Sequence, residues 1–136
     1  MNNLSAVNSF IFNIEIDSAY LQSFDGDEYV YLQEIFATVL NDYGSLADNI
    51  EQNYSSGNLT ALKAAVHKIK PVFGFVGMLS VQQECQQFEN LCGTAGSPEM
   101  LTADFEALND SIFKSRLVIE EELKKLEIFN SQSTWF

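Results

Sequence analysis

The stretch Leu59-Thr60-Ala61-Leu62-Lys63-Ala64-Ala65-Val66-His67-Lys68-Ile69-Lys70-Pro71-Val72-Phe73-Gly74-Phe75-Val76-Gly77 decides how the chain is read. Leu62, Val66, Ile69, Phe73 and Val76 recur with a 4-3-4-3 spacing, the mark of a helix that buries one stripe. On a wheel of about 100° per residue these five lie within about 40° of one direction. His67, the single histidine of the chain, points about 140° away from that direction and therefore outward. Lys63, Lys70, Gly74 and Gly77 fall on the same side, so the surface strip reads Lys63, His67, Lys70, Gly74, Gly77. Pro71 lacks an N–H and crowds the carbonyl of His67. It reads either as a kink that re-aims the histidine or as a helix break in a short loop.

Outward from this stretch the same period continues. Residues 28–54 place Leu32, Phe36, Val39, Tyr43, Leu46 and Ile50 in 4-3-4-3-4 spacing, with Gly44 costing about 1 kcal/mol against alanine. Ser55-Ser56-Gly57 ends that helix, and Asn58 or Thr60 caps the next, over about 59–77. Ser80, with Gln83 three residues on, reads as a capping box that opens a helix over about 80–92. Its apolar face is Val81, Cys85, Phe88 and Cys92. Residues 93–98 form a Gly/Pro-rich loop. A last helix, about 99–128, carries Leu101, Phe105, Leu108, Ile112, Ile119, Leu123 and Leu126, and a polar tail from Asn130 to Thr134 ends in Trp135-Phe136. At the other end, residues 1–16 are apolar without a clean period and read as a lead segment or short helix. Asp17 caps a short helix through about Phe24, and Asp25-Gly26-Asp27 is a turn. Four striped helices with short connectors predict an all-α, antiparallel, up-down-up-down four-helix bundle. A single domain over 1–136 is expected, with its core at about 17–127.

Composition agrees with a bundle and narrows the function. The chain has 136 residues, enough for its own core, and its 46% apolar content excludes a disordered chain. A net charge of −12 repels phosphate backbones and anionic lipid, so neither nucleic acid nor a membrane surface is an expected partner. No apolar run approaches the ~20 residues of a membrane span, and the first lysine is Lys63, so no basic leader opens the sequence. Cys85 and Cys92 would stand about 10.5 Å apart on a helix, too far for a disulfide, and read as core thiols of a cytoplasmic protein. A stand-alone protein that starts with Met is the expectation, against a domain excised from a larger kinase. A monomer is expected, against a dimer formed through the first segment or the Trp135-Phe136 tail.

Enzyme motifs are missing from the inventory. There is no phosphate-cradling Gly-rich loop, no histidine pair for zinc, no triad around His67 and no Glu-x-x-His pair for a carboxylate-bridged metal centre. The strip around His67 suits a different chemistry, the carrying of a phosphoryl group. A neutral imidazole is a nucleophile at cytoplasmic pH. Ammonium groups beside it attract an anionic phosphoryl group and spread its transition-state charge. Three of the seven basic residues, Lys63, Lys68 and Lys70, lie within four positions of His67. Glycines further along would let a partner approach closely.

The segment from Val66 to Gly77 resembles the signature of histidine-containing phosphotransfer (HPt) domains. That signature is a histidine, an apolar residue at +2, a lysine at +3, a small residue or proline at +4 and a glycine at +10. Here these are His67, Ile69, Lys70, Pro71 and Gly77. Gly74, at +7, is similar to the variant in some bacterial hybrid sensor kinases. Cys85, Phe88 and Glu89 resemble the pattern on the following helix, and Phe24-Asp25-Gly26-Asp27 before a long striped helix is also typical. The resemblance covers about 17–127. It implies a phosphocarrier, not an enzyme, that accepts a phosphoryl group on His67 from a receiver-domain aspartyl phosphate and passes it to a response-regulator aspartate.

The resemblance further implies that Lys70 is the main electrostatic helper and Lys63 a second. Glu89 would orient the imidazole, with Gln86 as the alternative. Lys68, Pro71, Gly74, Phe75, Gly77 and Met78 would form the docking patch. The chain would hold no cofactor, and Mg²⁺ would belong to the partner receiver domain. Receiver domains or a hybrid sensor histidine kinase are the implied partners. Many members carry Gly-Ser where this chain has Pro71-Val72, which removes a hydroxyl contact to the phosphoryl group. Two other readings are a receiver-binding adaptor that transfers nothing, and a phosphatase acting through Glu84 with Gln87 or Gln86 with Glu89.

Overall fold

A computed structural model describes residues 13, 15–17 and 29–133. Helix α1 spans Tyr29–Ser55, α2 Leu59–Phe75 and α3 Leu79–Thr94. A 3₁₀ turn over Pro98–Leu101 then leads into α4, Thr102–Ser133. No strand occurs among the described residues. Consecutive helices joined by short connectors run antiparallel and pack side by side. Helix α1 lies against α2 and α4, and α3 lies against the same two, so α2 and α4 occupy opposite corners of a four-helix bundle. No described helix is long and apolar enough to cross a membrane.

The stripes meet in one core. Phe36, Ile50, Leu62, Val66, Ile69, Phe73, Ile119 and Leu126 are fully buried, each side chain contributing about 1.5–3 kcal/mol by leaving water. Tyr43 packs edge-on against Phe73 with ring centroids 6.1 Å apart, and its hydroxyl donates to the Ile112 carbonyl at 2.6 Å. Burial raises the Tyr43 phenol well above its ordinary value. Leu46 and Leu123 are only partly buried at the edges of their stripes.

Local chemistry sets the helix ends, in places differently from the sequence expectation. Asn58, in extended backbone, accepts a hydrogen bond from the Ala61 N–H at 2.9 Å and starts α2 as expected. Helix α2 continues without a break through Pro71, so the helix-break reading is wrong. It stops at Phe75, two residues short of the expected end. Met78 N–H reaches back to the Phe73 carbonyl at 2.8 Å and Gly77 N–H to the Gly74 carbonyl at 3.2 Å. Gly77 has φ +76°, the left-handed conformation that lets these two bonds close the helix. Helix α3 then begins at Leu79 with Met78 at its cap and no side-chain cap bond, so Ser80 lies inside the first turn and the expected capping box does not form. The Gly77 turn commits the backbone two residues earlier than a cap at Ser80 would.

Helix α4 is also displaced. Its start is preceded by the 3₁₀ turn at Pro98, and it continues to Ser133, through most of the stretch read as a polar tail. Asn130 is buried and donates to the Tyr29 carbonyl at 3.0 Å and to Gln33 Oε1 at 2.8 Å, which binds the end of α4 to the start of α1. Ser115 and Glu122 are polar members of the buried face. Glu122 accepts from the Asn13 N–H at 3.0 Å and pairs with Lys125 at 2.9 Å. Asp17 N–H donates to the Gly77 carbonyl at 2.8 Å, and Ile16 between them is buried. Residues 13 and 15–17 therefore tie α4 to the α2–α3 turn. The expected short helix through Phe24, the turn at 25–27 and the Trp135-Phe136 tail lie outside the described residues.

Candidate functional site

Helices α2 and α3 form a hairpin closed by the tight Gly77 turn, which brings positions 22 residues apart face to face. His67 stands on the outer face of α2 with its side chain 68% exposed, as the wheel requires. Its Nδ1 is 2.9 Å from Oε1 of Glu89 on α3, whose side chain is only 6% exposed. A carboxylate can only accept, so Nδ1 carries a ring proton, and in the neutral imidazole Nε2 keeps its lone pair. Among the described residues Nε2 has no hydrogen-bond partner, and it belongs to the exposed ring.

Lys70, one turn beyond His67, reaches into the same hairpin. Its ammonium lies 2.9 Å from Glu89 Oε2 and donates to Gln86 Oε1 at 2.6 Å. The buried Oε2 makes no aligned hydrogen bond, so the charge of Lys70 alone compensates it. Gln86 Nε2 in turn donates to Asn90 Oδ1 at 3.0 Å. A buried carboxylate thus holds both an imidazole and an ammonium, and a Gln86–Asn90 pair steadies the ammonium from the solvent side.

The remaining candidates fall in three places. Lys63 is exposed and lies along α3, its Nζ 3.5 Å from where a Cβ on Gly93 would stand, outside the His67–Glu89–Lys70 cluster. Lys68 lines a polar groove with Ser45, Asp48 and Asn49 of α1. Pro71 is exposed, and Phe75, 55% exposed, borders an apolar groove with Tyr31, Ile35 and Thr38.

The outward strip is shorter than the sequence suggested. Gly74 is buried beneath Gln82, whose Nε2 would be 2.7 Å from an added Cβ, so its lack of a side chain serves the α2–α3 contact. Gly77 is buried in the turn, and Met78 is 1% exposed in the core. These three do not form an open docking face: Gln82 covers Gly74 within α2, and the helix closes before it reaches Gly77 and Met78.

Glu84 accepts a hydrogen bond from Ser111 at 2.8 Å and shares a groove with Gln87 and Asp104 between α3 and α4, away from His67. Cys85 and Cys92 are free thiols in the core. Burial, reinforced by the charges of Glu84 and Glu89, pushes the Cys85 thiol up to about 12. Burial also raises Cys92, with Lys63 opposing. Among the described residues no group of three or more His, Cys, Asp or Glu side chains could hold a metal ion. Asn90 and Gln82 escaped the sequence reading. The i,i+4 spacing of Gln86 and Asn90 was the only signal for the first, and nothing signalled the second.

The model of the Hpt domain family matches residues 34–127. No curated protein matches the chain. Among solved structures the chain is similar to the crystal structure of the HPT domain from the Hpt sensor hybrid histidine kinase from Shewanella. The TM-score is 0.70 at 14% identity, over 82% of this chain and 95% of that one. At that identity the likeness is one of fold.

Proposed function

The chain belongs to the Hpt domain family, and from that premise we propose that His67 is its phosphoryl-carrying residue. Membership brings histidine phosphotransfer within phosphorelays as the general role. The specific reading is that Nε2 of His67 attacks the phosphorus of an aspartyl phosphate on a receiver domain. The P–N bond forms as the P–O bond to the aspartate breaks, and the aspartate leaves as a carboxylate. The Nδ1 proton stays hydrogen-bonded to Glu89, so no proton has to leave the ring. Donation to a response-regulator aspartate is the reverse of this step. Mg²⁺ belongs to the receiver in this reading, and the bundle supplies a positioned nucleophile instead of an active site.

The observation that carries the proposal is the 2.9 Å bond from exposed His67 to buried Glu89, which presents Nε2 to solvent. Glu89 fixes the tautomer and the ring plane. Lys70 is close enough in sequence to swing toward an incoming phosphoryl group, where a cation lowers the barrier. Lys63 supplies a more distant positive charge, and Lys68, Pro71 and Phe75 form the accessible rim for docking. A bundle of this kind meets its partners through small, transient interfaces.

The test is transfer from a panel of phosphorylated receiver domains to the wild-type chain and to His67→Gln. Acid-labile, base-stable label on the wild type alone is the expected result. Receiver binding without any label would make the chain an adaptor and overturn the proposal.

A further inference from the structure

The outward face of α4 carries a strip that the His67 site does not use. Phe113, Leu117 and Ile128 are 64%, 52% and 60% exposed, and Glu121 and Lys124 between them are exposed as well. At about 100° per residue the strip spans about 80° and points nearly opposite the buried stripe of Leu108, Ile112, Ile119 and Leu126. Helix α4 is flanked by α1 and α3, which leaves this face uncovered among the described residues. Neither Glu121 nor Lys124 has an ion-pair partner there.

The order of side chains along the strip specifies what would cover it. Leu117, Glu121, Lys124 and Ile128 follow a 4-3-4 spacing that reads apolar, acid, base, apolar in one direction and apolar, base, acid, apolar in the other. A second copy laid antiparallel, with a two-fold axis midway between positions 121 and 124, sets each Leu117 against an Ile128. The same register sets each Glu121 against a Lys124. Self-complementarity of this kind is what a two-fold symmetric interface demands, because each contact must occur twice. A different partner would have no reason to match a palindrome.

We propose that the chain pairs with a second copy of itself through this face of α4. The association is weak, since one helix pair falls at or below the ~1,200 Å² of the smaller specific interfaces. A charge of −12 on each copy also opposes it at long range, an effect screened beyond about 8 Å at physiological ionic strength. Because α2 and α4 sit at opposite corners, both His67 side chains face away from the pair and stay open to partners.

Sedimentation equilibrium from about 5 to about 500 µM, at ~0.15 M salt, tests the proposal over the range where weak pairing is visible. Wild type is expected to move from monomer to dimer with rising concentration. Leu117→Asp, Glu121→Lys and Lys124→Glu are each expected to weaken that association at least about tenfold. Helical circular dichroism should stay unchanged in all three, because the sites are exposed. Mixing Glu121→Lys with Lys124→Glu places a lysine pair opposite a glutamate pair and is expected to restore a dimer containing one copy of each. A wild type that stays monomeric throughout overturns the proposal. So does a dimer indifferent to Leu117→Asp, or a mixture no better associated than its components.

Discussion

Glu89 and His67 share a hydrogen bond of 2.9 Å across the α2–α3 hairpin, yet their side chains are 6% and 68% exposed. The bond therefore joins an anchored group to an accessible one. Rigidity comes from the buried end and accessibility from the open end, and Lys70 balances the charge that the buried end would otherwise leave isolated.

Glu89→Ala is expected to slow phosphoryl acceptance by about 100-fold, because the ring loses both its tautomer and its orientation. Glu89→Gln keeps an acceptor for the Nδ1 proton and should fall between Ala and wild type. Transfer rates with thermal melts as a fold control measure this. Equal rates for all three would mean that Glu89 does not position the ring.

Lys70→Ala removes the ammonium that shares Glu89 with His67 and is expected to slow transfer by about 10- to 100-fold while receiver affinity holds. Measuring the rate and the Kd separately decides the point. A loss confined to Kd would make Lys70 a docking group.

Gly77→Ala forces a side chain into φ +76° and is expected to cost about 1–2 kcal/mol in denaturant unfolding. Gly74→Ala meets only the movable amide end of Gln82 and is expected to cost less. The reverse order would show that the turn tolerates the left-handed strain.

Stability should fall on the alkaline side. The Cys85 thiol moves from 9.0 to about 12 on folding, so the folded chain holds this proton more tightly than the unfolded one. That contribution is complete below about pH 9 and is lost as the pH rises toward 12. Tyr43 is shifted in the same direction. Melting temperatures at pH 7, 9 and 10.5 should decline over the last interval, and Cys85→Ala should flatten that decline.

The apolar stripes made the bundle legible, because four helices with one buried face each have few ways to pack. Helix ends were less legible, since they depend on tertiary partners. Asn130 looks like the start of a polar tail until the Tyr29 carbonyl and Gln33 arrive from the other end of the chain to satisfy it. Gly77 looks like a gap on a helix surface until the bonds to Phe73 and Gly74 make it the turn itself. At the site, the exposure of His67 followed from periodicity alone. The division of labour between Glu89 and Gln86 did not. Both lie on one face of α3, and only the register set by the Gly77 turn gives the imidazole to one and the ammonium to the other.

The Gly77 turn has a consequence for how this chemistry is inherited. His67, Lys70, Gln86, Glu89 and Asn90 all belong to the one hairpin over residues 59–94. Their contacts close within a single hairpin, the local kind of contact that favours fast folding. Helices α1 and α4 contribute apolar backing and none of the polar contacts of that cluster, so their surfaces are free to drift toward new partners. Recombination that exchanged those two helices would alter the company the molecule keeps while leaving its phosphoryl chemistry intact.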